Sequence, residues 1–364
     1  MKREAKLSCG DLIEVRSKEE ILQTLDKNGQ LDGLPFMPEM FKYCGGRFRV
    51  YKRAHKTCDP PNGIQGRRMT ATVHLEDLRC DGQAHGGCQA GCLIFWKEAW
   101  LKKGEQDRTA TTSKLRTDQH ATSSRPDESE QCTESDVIAA TRTNGNPPHP
   151  EEPVYACQST NLHLATLPLK WWDPRQYLED YTSGNVRLSQ LLAGGLFFLY
   201  SNLADAGLGI GSAMRWIYDV FQEVRGGAPY PVRMGKIRKG ARTPTVQTNL
   251  MPGELVRVKS YREILETLDE TWRNRGMYFD GEMVPFCGKT FRVLKRVQQI
   301  IDEGTGTLRQ FKSDAIILEG VTCEARYSHC RRFCPRSIFS YWREIWLERL
   351  DERDLAGAVS GERK

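Results

Sequence analysis

No stretch of the chain stays apolar for long enough to cross a bilayer. The longest apolar run, residues 191–200, has ten residues, about half of the roughly 20 that a spanning helix needs. The opening residues, Met1-Lys2-Arg3-Glu4-Ala5-Lys6-Leu7, are charged and lack the apolar core of a signal peptide. A cytoplasmic location is therefore expected. Charge of one sign is also scarce. Lys+Arg 53 against Asp+Glu 47 leaves +6 over 364 residues, too weak an excess to name a nucleic-acid partner. A P-loop, a dinucleotide-binding fingerprint, a His-Glu-x-x-His pair and a Gly-x-Ser-x-Gly elbow are all missing. These absences exclude a multi-span membrane protein and a polyanion-binding tail protein, and they leave the reaction, if any, unnamed.

What the chain does have is length, aromatics and an internal repeat. Its length fits two or three domains, enough to bury more than one core without a disulfide scaffold. A 9% aromatic share argues against wholesale disorder. Aligning Gly10 with Gly253 superposes residues 10–53 on residues 253–296 without a gap. Ser17, Glu20, Ile21, Leu22, Thr24, Leu25 and Asp26 recur as Ser260, Glu263, Ile264, Leu265, Thr267, Leu268 and Asp269. Cys44-Gly45 recurs as Cys287-Gly288, and Phe48-Arg49-Val50 as Phe291-Arg292-Val293. The match resumes at Leu75-Glu76 against Leu318-Glu319 and closes on Trp96 and Trp100 against Trp342 and Trp346.

Each copy reads mainly as strand. Residues 12–16, 48–53 and 69–75 alternate apolar and polar positions or carry β-branched runs. Ser17 with Glu20 three residues on is a capping box, so a short helix should separate the first two strands. A small strand module opening on Gly-[Asp/Glu]-Leu-x-x-Val resembles SH3-like barrels in fold, which implies no activity. The tryptophans sit four apart; on a helix they would form an aromatic stripe, and core packing is the expected use.

The intervening chain is of three kinds. Residues 104–152 are rich in Thr, Ser, Gln, Asp and Pro, the composition of a partly disordered linker. Within it, residues 132–141 echo residues 157–166 in a Cys and an Ala-Thr pair, so a short helix is expected there. Residues 153–228 are helical, with helices expected near 174–181 (Pro174 at the first position after Asp173), 188–203 and 212–224. Residues 229–252 form a proline-rich, basic tether. The expected architecture is α+β: a first Cys-rich β module over 1–103, a second over 253–350, and a tail over 351–364.

The cysteines carry the chemistry. In a reducing compartment, spaced cysteines point to metal binding or catalysis before disulfides. Cys44, Cys80, Cys88 and Cys92 in the first module answer to Cys287, Cys323, Cys330 and Cys334 in the second. The first gap is 36 in both (80 − 44 and 323 − 287), the next 8 against 7, the last 4 in both. Four recurring cysteines match the donor count of a closed tetrahedral thiolate site. Two Zn²⁺ sites are therefore expected, with an Fe–S cluster as the alternative for a four-cysteine set. His85 or His329 could replace a cysteine as a ligand; the favoured expectation is that each donates a hydrogen bond to a thiolate or is merely exposed. A catalytic Cys88 with His85 as base is disfavoured, because the second module has Ser328-His329-Cys330 in its place and keeps only the cysteine.

Other signals are weaker. Cys9 and Cys58 have no counterparts, since Pro252 and Ile301 stand there; Cys132 and Cys157 read as isolated thiols, with a further pair as the alternative. Arg233, Lys236, Arg238, Lys239 and Arg242 read as a solvated tether. The 188–203 helix is apolar around most of its circumference and must be buried against protein or lie in a membrane interface. Basic residues are sparse beside it, which favours a protein.

The Cys-Gly-x-x-Phe-Arg-Val-x-Lys-Arg stretch, the loop at 80–92 and the Phe-Trp-Lys-Glu-Ala-Trp-Leu ending together resemble a bacterial family of Cys-rich tandem-repeat proteins without an assigned activity. The resemblance extends over nearly the whole chain, including the Trp171-Trp172-Asp173 region, and implies an accessory role in polysaccharide or natural-product biosynthesis. The function expected is a non-catalytic, metal-stapled protein that binds a protein partner. An Fe–S redox protein or enzyme component is the alternative.

Overall fold

A computed structural model describes residues 6–59, 66–104, 131–143, 152–328 and 332–350. The chain divides into two compact units. The first holds Met1–Arg187 together with Ile301–Leu308, and the second holds the remainder. The division thus falls inside the helical stretch 153–228, not at its ends.

In the first unit, Leu12–Val15 forms the opening strand, with Ile13 and Val15 buried on one face. Ser17 caps the helix Lys18–Leu22, and both bonds of its capping box with Glu20 are present. The strands Arg47–Arg53, Thr72–Arg79, Leu93–Lys97 and Leu101–Lys103 complete a curled antiparallel sheet in the order 93–97, 72–79, 47–53, 12–15, 101–103. Ile13 faces Phe48, and Val73 faces Trp96. The third strand begins at Thr72, three residues later than its pattern suggests, because Ala71 takes φ +46° and breaks the extended run.

Trp96 lies on a strand and Trp100 ends a 3₁₀ turn, so the pair is not a helical stripe. Both indoles are fully buried, Phe36 meets each edge-on, and the Trp100 Nε1–H donates to Thr24 Oγ1 at 3.1 Å. Around this core, residues 131–143 of the linker fold as the helix Glu134–Ala139, capped by Thr133, and a short strand. Cys132 and Val137 from this stretch are buried in the core. Residues 105–130 and 144–151 lie outside the described residues. Asp173 caps the helix Pro174–Thr182, whose buried Asp180 pairs with Lys56 and His55.

The second unit contains, but for Ile301 and Leu308 at two strand ends, a sheet in the order Leu308–Leu318, Thr290–Ile301, Leu255–Val258, Leu347–Arg349. Its pairings repeat those of the first. Val256 faces Phe291 (13 + 243 and 48 + 243), and Ile316 bridges Trp342 as Val73 pairs Trp96. The Trp346 Nε1–H donates to Thr267 Oγ1 at 2.9 Å, and Phe279 meets both indoles edge-on. Arg296 bonds Glu344 and the Leu250 carbonyl, as Arg53 bonds Glu98 and the Leu7 carbonyl. The chain is therefore a mixed α/β fold with two β modules of matching register and core.

Residues 229–252 pack along the second module. Ile237 bridges Asp269, Tyr230 and Leu250 are fully buried, Arg233 pairs with Asp219 and Lys236 with Glu266. The helices Leu188–Ala204 and Gly211–Val224 lie side by side in this unit. Phe197 points inward against Tyr218, Tyr230 and Tyr327, while Leu188, Leu192, Leu196, Leu199 and Leu203 are exposed. No described helix is long and apolar enough to cross a membrane.

Candidate metal centre

The strand Thr72–Arg79 delivers Cys80 to its end, and the strand Leu93–Lys97 starts just after Cys92. The loop between them closes where the Cys80 N–H donates to the Cys92 carbonyl at 2.9 Å. Inside it, the Gly82 carbonyl accepts from the N–H groups of His85 and Gly87, both at 3.0 Å. Gly82 takes φ +73°, and a Cβ there would lie 2.0 Å from the Cys88 carbonyl oxygen. Glycine is the residue that this turn accepts. The closed loop gathers Cys80, Cys88 and Cys92 on one pocket, together with Cys157, His85, Met37, Phe95 and Ile301.

Several donors face these sulfurs. The Ile301 N–H donates to Cys88 Sγ at 3.3 Å, and the Ser159 hydroxyl to Cys92 Sγ at 3.6 Å. Backbone hydrogen bonds from Gly82 to Cys80, and from Thr160 and Ser159 to Cys157, favour the thiolate forms. Burial outweighs them: it raises the Cys80 thiol far above its ordinary value and pushes Cys157 up to about 12. Bringing a cation into the pocket reverses that balance, because a bound metal ion deprotonates a coordinating thiol.

Beside the thiols lies a buried acid–imidazole pair. Glu39 sits on the 3₁₀ helix Pro38–Tyr43, and its Oε1 lies 2.7 Å from His85 Nδ1 and accepts the Ala84 N–H at 3.1 Å. Its Oε2 is buried with no hydrogen-bond partner among the described residues. Burial pushes the Glu39 carboxyl up, but the hydrogen bond and charge of His85 outweigh it and hold the group below its ordinary value. Among the described residues, Glu39, Cys80 and His85 bring three ligand-type atoms within 4.8 Å of one another. His85 Nε2 faces the Ala156 carbonyl oxygen at 3.1 Å, so both ring nitrogens are already engaged.

The other cysteines singled out by spacing sit elsewhere. Cys44 ends the Pro38–Tyr43 helix, packs against the apolar core near Glu19 and Lys18, and does not line the pocket. Cys287 ends the matching helix Gly281–Phe286 and packs on the second core, where burial pushes its thiol up to about 12. Cys323 donates its backbone N–H to the Ile338 carbonyl at 2.7 Å, and Cys334 is buried. Cys330 and His329 lie outside the described residues.

Two participants escape a reading by cysteine spacing. Cys157 belongs to neither module, and only folding brings it to the loop. Glu39 was legible, because it recurs as Glu282 at the same offset of 243 between a turn residue and a methionine. Glu282 is likewise buried and accepts the N–H groups of Arg326, Tyr327 and Ser328 in its own module's cysteine loop. Burial pushes its carboxyl up to about 7 even against those three bonds. The two glutamates perform one task, holding the cysteine-bearing loop to the 3₁₀ helix. Comparison with protein families, curated proteins and solved structures finds no match to the chain.

Proposed function

We propose that the protein is a non-catalytic, metal-binding protein built on duplicated SH3-like modules, with zinc as its resident ion and a protein as its partner. One observation supports this reading: Cys80, Cys88, Cys92 and Cys157 line one pocket, where the Cys80 sulfur lies within 4.8 Å of a Glu39 oxygen and a His85 nitrogen. Four thiols are the donor set of a closed structural zinc site. A cysteine used only as an apolar filler has no need of N–H donors aimed at its sulfur. Nor does the pocket supply the base that a nucleophilic Cys88 requires, since both nitrogens of His85 face Glu39 and Ala156. For the second module, the proposal of an ion rests on sequence spacing alone.

The partner reading is supported by the leucine stripe on Leu188–Ala204, a helix without a charged residue. Exposed apolar faces of this kind serve as interaction surfaces.

An Fe–S cluster is the second reading, because four thiolates with N–H···S bonds suit a cluster as well. The absorption spectrum of anaerobically purified protein separates the two. A colourless protein that contains zinc agrees with the proposal. Visible absorption that bleaches on reduction would replace it with the redox reading.

A further inference from the structure

We infer that a cavity in the second unit, between residues 245–249, the strand Leu308–Leu318 and the 3₁₀ turn Glu344–Trp346, binds a small organic carboxylate. The site does not rest on the metal reading above.

The cavity has a volume of about 240 Å³, where a single water needs roughly 10–15 Å³. Thr245, Gln247, Lys312, Ser313 and Arg343 line it, together with Arg296, Asp314 and Glu344. The two acids are already committed. Arg296 donates to Asp314 from Nε and Nη2 and to Glu344 from Nη1, and Glu344 also accepts the Thr248 and Leu250 N–H groups. Among the described residues, no carboxylate pairs with Lys312 or Arg343. Arg343 donates instead to neutral carbonyls, from Nη1 to Ser313 at 2.8 Å and from Nη2 to Arg275 at 3.1 Å, and its buried Nε has no hydrogen-bond partner there. Burial, and then the charge of Arg275, hold the Arg343 pKa below its ordinary value. A charge withdrawn from water is ordinarily paired, so the sign left unmatched in this cavity is positive.

The first module shows which group would match it. Arg343 follows Trp342 as Lys97 follows Trp96, and Arg275 stands at the position of Asp32 (32 + 243). In the first module Lys97 is buried and pairs with Asp32 at 2.9 Å. The local frame is the same in both copies. Asp32 and Arg275 turn equivalent hairpins, at φ +50° and +47°, each before a glycine. Exchanging the aspartate for arginine turns an ion pair into two like charges that disfavour each other. The carboxylate that the fold supplies to Lys97 is therefore withdrawn from Arg343, and a cavity adjoins the arginine left without it. A ligand carboxylate restores the match, and the planar guanidinium fork suits that group geometrically. The Thr245 and Ser313 hydroxyls and the Gln247 amide are further donors on the same wall.

Isothermal titration calorimetry of the full-length chain at low ionic strength tests the site, with acetate, succinate, citrate and inorganic phosphate as probes. A carboxylate should bind at one per chain and more tightly than phosphate. Lys312→Ala, at an exposed lysine, should weaken that binding by about tenfold or more. Arg275→Asp rebuilds the pair of the first module, so it should raise the melting temperature and abolish the binding. A parent chain that binds none of the three carboxylates, or binds phosphate more tightly than any of them, overturns the inference. So does carboxylate binding that survives both substitutions unchanged.

Discussion

The imidazole of His85 bridges Glu39, 2.7 Å from its Nδ1, and the carbonyl oxygen of Ala156, 3.1 Å from its Nε2. One buried ring thereby ties the 3₁₀ helix, the cysteine loop and the segment that carries Cys157. Replacing it leaves a buried carboxylate with only the Ala84 N–H and the Cys80 thiol on Oε1, and no partner on Oε2 among the described residues. His85→Ala should destabilise the first unit by about 3–5 kcal/mol, the range for removing one partner of a buried pair. It should also weaken zinc binding by roughly 10–100-fold, as loss of an outer partner does. Urea unfolding and chelator competition measure the two effects. A variant that matches the parent in both would remove His85 from this role.

Gly82 and Gly45 share a left-handed backbone but differ in surroundings. A Cβ on Gly82 would meet the Cys88 carbonyl oxygen at 2.0 Å, whereas one on Gly45 would meet nothing within 4 Å. Gly45→Ala should cost about 1–2 kcal/mol, the penalty for a left-handed non-glycine residue. Gly82→Ala should cost more than that and should also lower zinc affinity, because the loop cannot close on Cys88. Equal losses of stability in the two variants, with zinc affinity unchanged in both, would contradict this account of the loop.

Much of the fold was legible because a repeated sequence repeats its contacts. Thr24 and Trp100 recur as Thr267 and Trp346, and both pairs make the same indole-to-hydroxyl bond. The capping boxes at Ser17 and Ser260, and the helix starting at Pro174, are local features that short-range sequence specifies. The site was only half legible. Cys80, Cys88 and Cys92 meet through one short loop, which spacing can reveal. Cys157 comes to the same pocket across 65 residues from Cys92, through the pairing of Gln158 with Phe95, and no local pattern encodes that. Cys44 ends a helix and packs on the core, a place in which a cysteine recurs as faithfully as a ligand does.

Glu344 sets a pH dependence in the second unit. Burial pushes its carboxyl up, but N–H bonds from Thr248 and Leu250 and the Arg296 guanidinium outweigh this and hold it below the ordinary range. With the folded value below the unfolded one, the unfolded chain binds more protons in the window between them. The stabilisation is present in full above the usual glutamate pKa of about 4.3, and it is lost as pH falls through the lowered folded value. Glu344→Gln should flatten that acid limb. Hydrogen exchange in the strand Leu255–Val258, followed from neutral to acidic pH, reads the difference; identical slopes in parent and variant would contradict the assignment.

The leucine stripe of the helix Leu188–Ala204 separates a protein partner from a lipid one. The helix carries no charge to draw it to an anionic surface, where each Lys or Arg contributes about 1 kcal/mol. The protein should therefore stay with the soluble fraction when anionic liposomes are floated. Robust co-flotation that Leu196→Glu with Leu199→Glu abolishes, at unchanged thermal stability, would make lipid the partner. Phe197 is the wrong residue for that test, because it packs 4.9 Å from Tyr327 inside the unit.

Elemental analysis of full-length protein, purified without added metal, tests the central claim most directly. The account predicts zinc at one ion per chain or more, resistant to gel filtration and released by chelators or acid, with iron at background level. Zinc and iron together at well below one ion per chain, in protein that melts cooperatively, would contradict it.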